Sequence, residues 1–158
     1  CTPTQIRRYL NRVSGPFLDR IDIGVEVPRQ DLGMMASEKS IDEGSFPQTE
    51  QRNSSAVMRA RVMEARARQE KRFADESISY NSQMTRRQIE KYCRLSGEDV
   101  VFLEKVERQQ GISARGHGKI LKVARTLADL DGQAEIGRTQ LAEAIGFRSF
   151  EKKYWGSL

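Results

Sequence analysis

Residues that build disulfide frameworks and metal sites are scarce in this chain. Its 158 residues include two cysteines, Cys1 and Cys93, and a single histidine, His117. Two cysteines make no disulfide framework, and a lone histidine cannot complete a zinc ligand set with them. No apolar run approaches the roughly 20 residues that a membrane-spanning helix requires. We therefore predict no metal site, no membrane contact and a reducing, cytoplasmic setting.

The first residues are polar and basic, unlike a secretory signal peptide. The chain begins with cysteine rather than methionine, so we expect it to be a piece of a longer protein. Its length suits one domain or two small ones, and a hydrophobic content of 37% allows a modest core.

The net charge of +5 is unevenly distributed. Residues 31–50 carry five acids against one lysine, a balance of −4. Residues 51–94 carry eleven bases against five acids, a balance of +6. A basic zone this dense indicates contact with nucleic acid or nucleotide phosphates, although a solvated helix face is the alternative from composition alone. The arginines of interest in this zone are Arg59, Arg61, Arg66 and Arg68.

The first 53 residues combine a helix with a strand. Thr2-Pro3-Thr4-Gln5 is a capping box with proline at the first helical position, and Gly15-Pro16 ends that helix. Apolar and polar residues alternate over 20–27 before Pro28, which predicts a β-strand. A strand cannot stand alone, so we expect its sheet partners earlier in the longer protein. Residues 29–53 lack periodicity and predict a long polar loop.

The remainder of the chain has helical periodicity. Ser54 or Ser55 caps a long helix to about Phe73, and this basic helix with its connector occupies 54–83. The side of the helix that carries apolar residues comprises Val57, Met58, Val62, Ala65 and Gln69. Residues 84–158 predict a four-helix bundle with short connections. Its helices are predicted from Thr85 to about Cys93, Ser96 to Gly111, Ala114 to Asp131 and Thr139 onward. The fold class is therefore mainly α, with a helix-plus-strand remnant of an α/β core at 1–53.

One glycine-rich stretch is similar to a phosphate-binding loop but does not match its sequence motif. Gly116-His117-Gly118-Lys119 lacks a glycine five positions before Gly118, is followed by Ile120 and has no preceding strand. A flexible helix start is the better interpretation. The chain also has no convincing pair of catalytic carboxylates, so we expect that it cannot hydrolyse ATP by itself.

Two arginines stand where a helix or strand does not need them. Ser113-Ala114-Arg115 opens an apolar helix, and the helix dipole disfavours a cation in that first turn. An arginine there is more consistent with an anion ligand than with helix stability. Arg20 lies just before the predicted strand. Together the two residues point to phosphate chemistry shared between subunits.

Several ordered motifs resemble those of a known family. Cys1-Thr2-Pro3, the stretch from Ser14 to Ile23 and Glu26-Val27-Pro28 resemble the magnesium-chelatase-like AAA+ ATPases, and more narrowly their bacterial ComM/YifB branch. Positions that fit the long helix and C-terminal domain of that family are Arg59, Val62, Ala65-Arg66, Gln69, Arg72-Phe73, Ser113-Ala114-Arg115, Ile120 to Leu130 and Arg148-Ser149. The resemblance covers nearly the whole chain except about 29–53.

This resemblance implies the C-terminal part of an ATPase module that uses ATP and Mg²⁺ bound upstream, outside this chain. Arg20 maps onto the arginine finger that reaches the neighbouring subunit's ATP in a homo-oligomeric, hexameric ring. Arg115 maps onto the lid arginine that reads the γ-phosphate. Without the resemblance, Arg20 would be interpreted as a salt-bridge partner of Asp19 or Asp22, and Arg115 as a simple surface residue.

The chain departs from the family at two positions. Gly116 and His117 stand where the family tends to have alanine and an aromatic residue. We expect this change to loosen the turn that carries Arg115. Cys1 resembles the last cysteine of a family cluster that binds zinc in some members, and we assign it no ligand role.

Three functions are compatible with these features. The first is a DNA-remodelling motor, such as a branch-migration or helicase-like ATPase, whose basic helix contacts DNA or a neighbour through Arg59, Arg61, Arg66 and Arg68. The second is a chelatase-like ATPase that acts on a protein partner. The third is a non-enzymatic helical module that binds nucleic acid or protein. The sequence leaves the substrate, ring size, direction of movement, zinc status of Cys1 and oligomeric state of the chain open.

Overall fold

The computed structural model describes residues 2–13, 15–18, 20–27 and 54–148. Helix α1 spans Pro3–Leu10, and a short helix α2 spans Gly15–Leu18. The predicted capping box forms, since the Thr2 amide donates to Gln5 Oε1 at 2.9 Å and the Gln5 amide donates to Thr2 Oγ1 at 3.4 Å. The polar loop predicted for 29–53 lies outside the described residues, as does Cys1.

The strand predicted at 20–27 does not form in the described chain, where these residues are irregular. A β-strand is stable only when a neighbouring strand completes its hydrogen-bond ladder, and no described segment supplies one. Instead the Gly24 amide donates to the Phe147 carbonyl at 2.9 Å, and Arg148 Nη1 donates to the Ile21 carbonyl at 3.0 Å. The segment is therefore tied to the far end of the chain.

Helix α3, Ser55–Arg72, confirms the predicted long helix, and Ser54 Oγ accepts from the Val57 amide at 3.4 Å. Of the five residues predicted along one side, only Ala65 and Gln69 are buried. The first half of α3, residues 55–64, is exposed at every position because the described part of the chain does not cover it. A short 3₁₀ turn at Asn81–Gln83 then leads into the bundle.

Four further helices complete the fold: α4 at Arg86–Tyr92, α5 at Gly97–Gln110, α6 at Ala114–Leu130 and α7 at Arg138–Gly146. The bundle prediction is thus confirmed. Gly111 ends α5 with a left-handed backbone at φ 68°, as a helix-stopping glycine should. The cap predicted at Thr139 is wrong, because α7 begins at Arg138 and its N-cap is Gly137, two residues before Thr139.

Helix α6 lies at the centre of the bundle and packs against α3, α4 and α7. Its Ile120 and Ala124 are fully buried, as are Leu103 of α5 and Leu141 of α7. Burying a leucine or isoleucine contributes about 1.5–3 kcal/mol, so this apolar centre supports the helices that surround it. An ion pair between Arg138 and Asp99 joins α7 to α5, and the hydrogen bond from Arg138 lowers the pKa of Asp99.

A cluster around Glu76 joins the α3–α4 connection to α4. Its carboxylate accepts hydrogen bonds from Tyr92 Oη at 2.7 Å, Lys91 Nζ at 2.9 Å and Gln88 Nε2 at 2.9 Å. These bonds, with that from Tyr92 the largest cause, lower the pKa of Glu76 to about 2. They favour the charged carboxylate in the folded state.

We predict that Glu76→Gln makes the chain less sensitive to acid. A carboxyl group whose pKa is lowered by folding stabilises the protein above its unfolded pKa, and this contribution is lost as the pH falls through its folded pKa of about 2. Thermal melting at pH 7, 4 and 2 should therefore show a smaller decrease in the variant than in the parent chain. Glu90→Gln, at an exposed carboxylate of α4, is the control. An equal decrease in both variants would contradict the role of Glu76.

Candidate functional site

The start of α6 borders a cavity of about 840 Å³ that lies between α4 and α6. Ser113 caps the helix by accepting from the Gly116 amide at 3.1 Å, and Arg115 follows in the first turn. Arg115 is exposed and lines the cavity. Apolar lining residues are Met84, Ile89, Cys93, Ile112 and Leu121. The result is an apolar groove with a cation at its rim.

Most other charged groups of this groove already have protein partners. Arg86 Nε pairs with Glu90 at 3.2 Å, and Lys122 Nζ donates to the Ser82 carbonyl at 2.9 Å. Lys119 Nζ pairs with Asp22 at 2.8 Å. The second groove carboxylate, Glu107, lies 2.6 Å from Nδ1 of His117. Among the described residues, no carboxylate lies within 4 Å of the Arg115 guanidinium, so its charge is available to an external anion.

The turn that carries Arg115 makes several contacts through Gly116 and His117. A Cβ atom added at Gly116 would lie 2.7 Å from Ile112 Cγ2, so glycine permits close contact between α6 and the preceding connection. The His117 amide also donates to the Ser113 carbonyl at 2.9 Å, and its ring contacts Glu107 of α5. The expectation of a looser first turn than in the family stays a prediction.

Arg20 lies in the turn after α2, where its amide donates to the Phe17 carbonyl at 2.9 Å. Its side chain is exposed. The salt bridge considered with Asp22 does not form, because that carboxylate pairs with Lys119, and Asp19 lies outside the described residues. Within the described ranges no contact joins Arg20 to Arg115. The two predicted phosphate-binding arginines are both exposed, and the chain does not bring them together.

The four arginines predicted on the basic helix have different surroundings. Arg59 and Arg61 are exposed on the first half of α3. Arg66 lies over the Tyr80 ring, with 5.5 Å from its guanidinium carbon to the ring centroid. Arg68 donates to the Asp129 carbonyl at 3.0 Å and lies 3.7 Å from Glu64. Of these four arginines, Arg59 and Arg61 are therefore exposed surface groups, whereas Arg66 and Arg68 also contact other parts of the fold.

Residues 52–148 match the family described as "Magnesium chelatase, subunit ChlI C-terminal", and residues 1–35 match "Magnesium chelatase, subunit ChlI". The chain belongs to the magnesium chelatase ChlI C-terminal family. Competence protein ComM of Haemophilus influenzae is 40% identical over 94% of this chain and 26% of its own length. Protein YifB of Escherichia coli is 40% identical over 96% of the chain and 27% of its own length.

A more distant relative, protein Rv2897c of Mycobacterium tuberculosis, is 30% identical over 94% of the chain. The chain spans about a quarter of the length of these relatives. It is therefore a magnesium-chelatase-like AAA+ family member, which confirms the resemblance to the ComM/YifB branch. The family is in general dependent on ATP and Mg²⁺, and the described part of this chain contains no nucleotide site.

This ChlI C-terminal domain also contains a buried polar network that the sequence did not predict. Asp129 of α6 is fully buried and accepts from Arg72 Nη1 at 2.8 Å and from Asn81 Nδ2 at 2.8 Å. Arg125, one turn earlier on α6, pairs with it at 3.2 Å and donates to the carbonyls of Gln133 and Ala134. Burial lowers the pKa of Arg125, and the Asp129 charge opposes that shift. The network fastens α3 to α6.

A signal for this network was present in the sequence. Arg125 and Asp129 stand four residues apart on α6, which places both on one side of the helix, beside the apolar Leu121 and Ala128. Charged residues are almost never fully buried without a partner, so such a pair in a buried helix indicates an internal network. The pattern does not predict the contribution of Arg72. This residue lies more than fifty positions earlier in the chain and supplies the additional positive charge.

Metal and thiol chemistry find no support in the described residues. No cluster of three or more His, Cys, Asp or Glu side chains capable of holding a metal occurs there. Cys93 is buried, and that burial raises the pKa of its thiol to about 11, so it is protonated at neutral pH. Cys93 belongs to the apolar core of the bundle. No described helix is long and apolar enough to cross a membrane.

We predict that Asp129→Ala lowers the free energy of unfolding by about 3–5 kcal/mol, because it leaves two arginines without their buried counter-charge. Urea unfolding followed by circular dichroism measures this change. The control is Glu135→Ala, an exposed carboxylate on the following connection, which should change stability by less than about 0.5 kcal/mol. Equal effects of the two substitutions would contradict the network's role.

Proposed function

We propose that the chain is the C-terminal part of a ring-forming AAA+ ATPase that remodels DNA, in which Arg115 of the lid senses nucleotide bound upstream. The observation that carries this proposal is the exposed Arg115 at the rim of an apolar groove whose other charges are paired. An arginine guanidinium suits this task because its planar fork presents several donors to phosphate oxygens.

Arg20 completes the proposal as the arginine finger supplied to a neighbouring subunit. Its exposure and the pairing of Asp22 with Lys119 leave it able to contact an external phosphate. A finger stabilises the negative charge that spreads over the transferred phosphoryl group. The family membership supports an oligomeric AAA+ assembly in which two such arginines serve one ATP site from different subunits.

The arginine roles are tested by ATP hydrolysis in the intact protein. Arg20→Ala should lower kcat by at least about 10³-fold, the contribution typical of an arginine finger. Arg115→Ala should lower turnover on the order of 10²-fold, as when one preorganised donor to developing negative charge is removed. The matched control is Arg87→Ala, an exposed arginine of α4 outside the groove, which should leave turnover unchanged. Wild-type turnover in both test variants would refute the assignments.

The DNA role is tested by the same assay with and without forked or four-way DNA at two salt concentrations. Contacts between arginines and phosphates release counterions, so DNA stimulation should fall steeply as salt rises. Arg59→Ala with Arg61→Ala should reduce that stimulation while basal turnover is retained. Turnover that DNA leaves unchanged at both salt concentrations would remove DNA as the substrate.

A second candidate function, an ATPase that acts on a protein partner, is favoured by the apolar residues of the exposed half of α3. Val57, Met58, Val62 and Met63 are 39–55% exposed there. Phosphate contacts do not require apolar side chains, whereas protein interfaces combine them with arginine. A protein partner would therefore use both the arginines and the apolar residues of this half-helix.

A further inference from the structure

Glu107 is one of two carboxylates that line the groove together with Arg115. It lies in the last turn of α5, its side chain is 18% exposed, and it lines the same groove as Arg115. An arginine beside an unengaged carboxylate forms an ion pair readily, and that pair would occupy the donors needed for phosphate. Arg115 therefore keeps its donors free only if the Glu107 carboxylate is bonded to another group.

His117 is in a position to form that bond with Glu107. Its Nδ1 lies 2.6 Å from Glu107 Oε1, two residues beyond Arg115 on α6. A carboxylate only accepts hydrogen bonds, so the proton of this bond is carried by the imidazole. The other carboxylate that lines the groove, Glu90, accepts a hydrogen bond from Arg86 Nε at 3.2 Å. Each acid of the groove thus has a partner other than Arg115.

The contacts of the first turn of α6 preserve this arrangement. Gly116 packs against Ile112 so closely that a Cβ atom would not fit, which holds the turn against the end of α5. Ser113 caps the turn through the Gly116 amide at 3.1 Å. These contacts of the backbone do not involve the Glu107 side chain, whose carboxylate is oriented by its bond to His117.

We propose that His117 is a positioning residue that sequesters the Glu107 carboxylate and so keeps Arg115 unpaired for its anionic ligand. The inference rests on the proposed function where it names nucleotide phosphate as that ligand. The pairing itself is a property of this chain and needs no nucleotide. Without the imidazole, Glu107 turns to Arg115 and competes with the phosphate.

The first test observes Arg115 in this chain by ¹⁵N NMR, with its Nε–H signal assigned by comparison with Arg115→Lys. Pairing with a carboxylate slows exchange of that proton with water. The exchange should slow by about tenfold in His117→Ala, equivalent to about 1.4 kcal/mol. It should return to the original rate in His117→Ala with Glu107→Gln. Unchanged exchange in His117→Ala overturns the proposal.

The matched control replaces a different acid of α5. Glu104 lies three residues before Glu107, pairs with Arg108 at 3.3 Å and does not line the groove. Glu104→Gln in the His117→Ala background should not restore fast exchange. Restoration by this control would mean that general charge, rather than the Glu107 carboxylate, governs Arg115, and would overturn the assignment. Circular dichroism of each variant verifies that the helices remain.

The second test measures ATP turnover by the intact protein. His117→Ala should raise the KM for ATP by about tenfold, and Glu107→Gln in that background should return it to within about twofold of the original. A purely structural loss would not be rescued by the second substitution. If the NMR pairing appears while Arg115→Ala leaves turnover unchanged, the nucleotide role of Arg115 fails and the sequestration stands. If turnover requires Arg115 but no pairing appears, the sequestration fails alone.

Discussion

The buried carboxylate of Asp129 is the interaction on which the arrangement of helices depends. It receives hydrogen bonds from Arg72 at the end of α3, from Asn81 in the connection and an ion pair from Arg125 on its own helix. A buried charge is costly unless its partners have good geometry, and removing one partner leaves the others uncompensated. The second half of α3 and the bundle are consequently held together as one unit.

Helix α6 connects this network with the groove. Arg115 stands in its first turn and Asp129 in its last, so about 21 Å of rigid helix separates them at 1.5 Å per residue. Arg68 adds a second bond from α3 to the end of α6, through the Asp129 carbonyl. Helix α6 therefore links the Arg115 end of the groove to α3, whose exposed half carries Arg59 and Arg61.

The segment after α2 belongs to the same unit. Asp22 pairs with Lys119 at the groove, while the backbone of 21–24 is bonded to Phe147 and Arg148 beyond α7. These contacts place the exposed Arg20 at the edge of the bundle rather than on a separate body. The Asp22–Lys119 pair thus joins the segment that carries Arg20 to the helix that carries Arg115.

The helices were predictable because their signals are local. The caps at Ser54, Ser96 and Ser113 and the stop at Gly111 act within one turn, so the order and bounds of α3, α5 and α6 follow from neighbouring residues. The resemblance also identified Arg20 and Arg115 as candidate phosphate ligands, and the structure shows that both residues are exposed. Their roles remain predictions.

Contacts between distant residues were decided by the tertiary structure. The alternation at 20–27 favours a strand, but a ladder needs a partner segment, and none of the described segments provides it. The apolar side of α3 continues through Met58, yet only its second half meets α6. The Arg72–Asp129 and Glu107–His117 pairs likewise depend on which helices come together. Local sequence therefore determined the helices and their caps, whereas packing determined which of their charges became internal bonds and which stayed exposed.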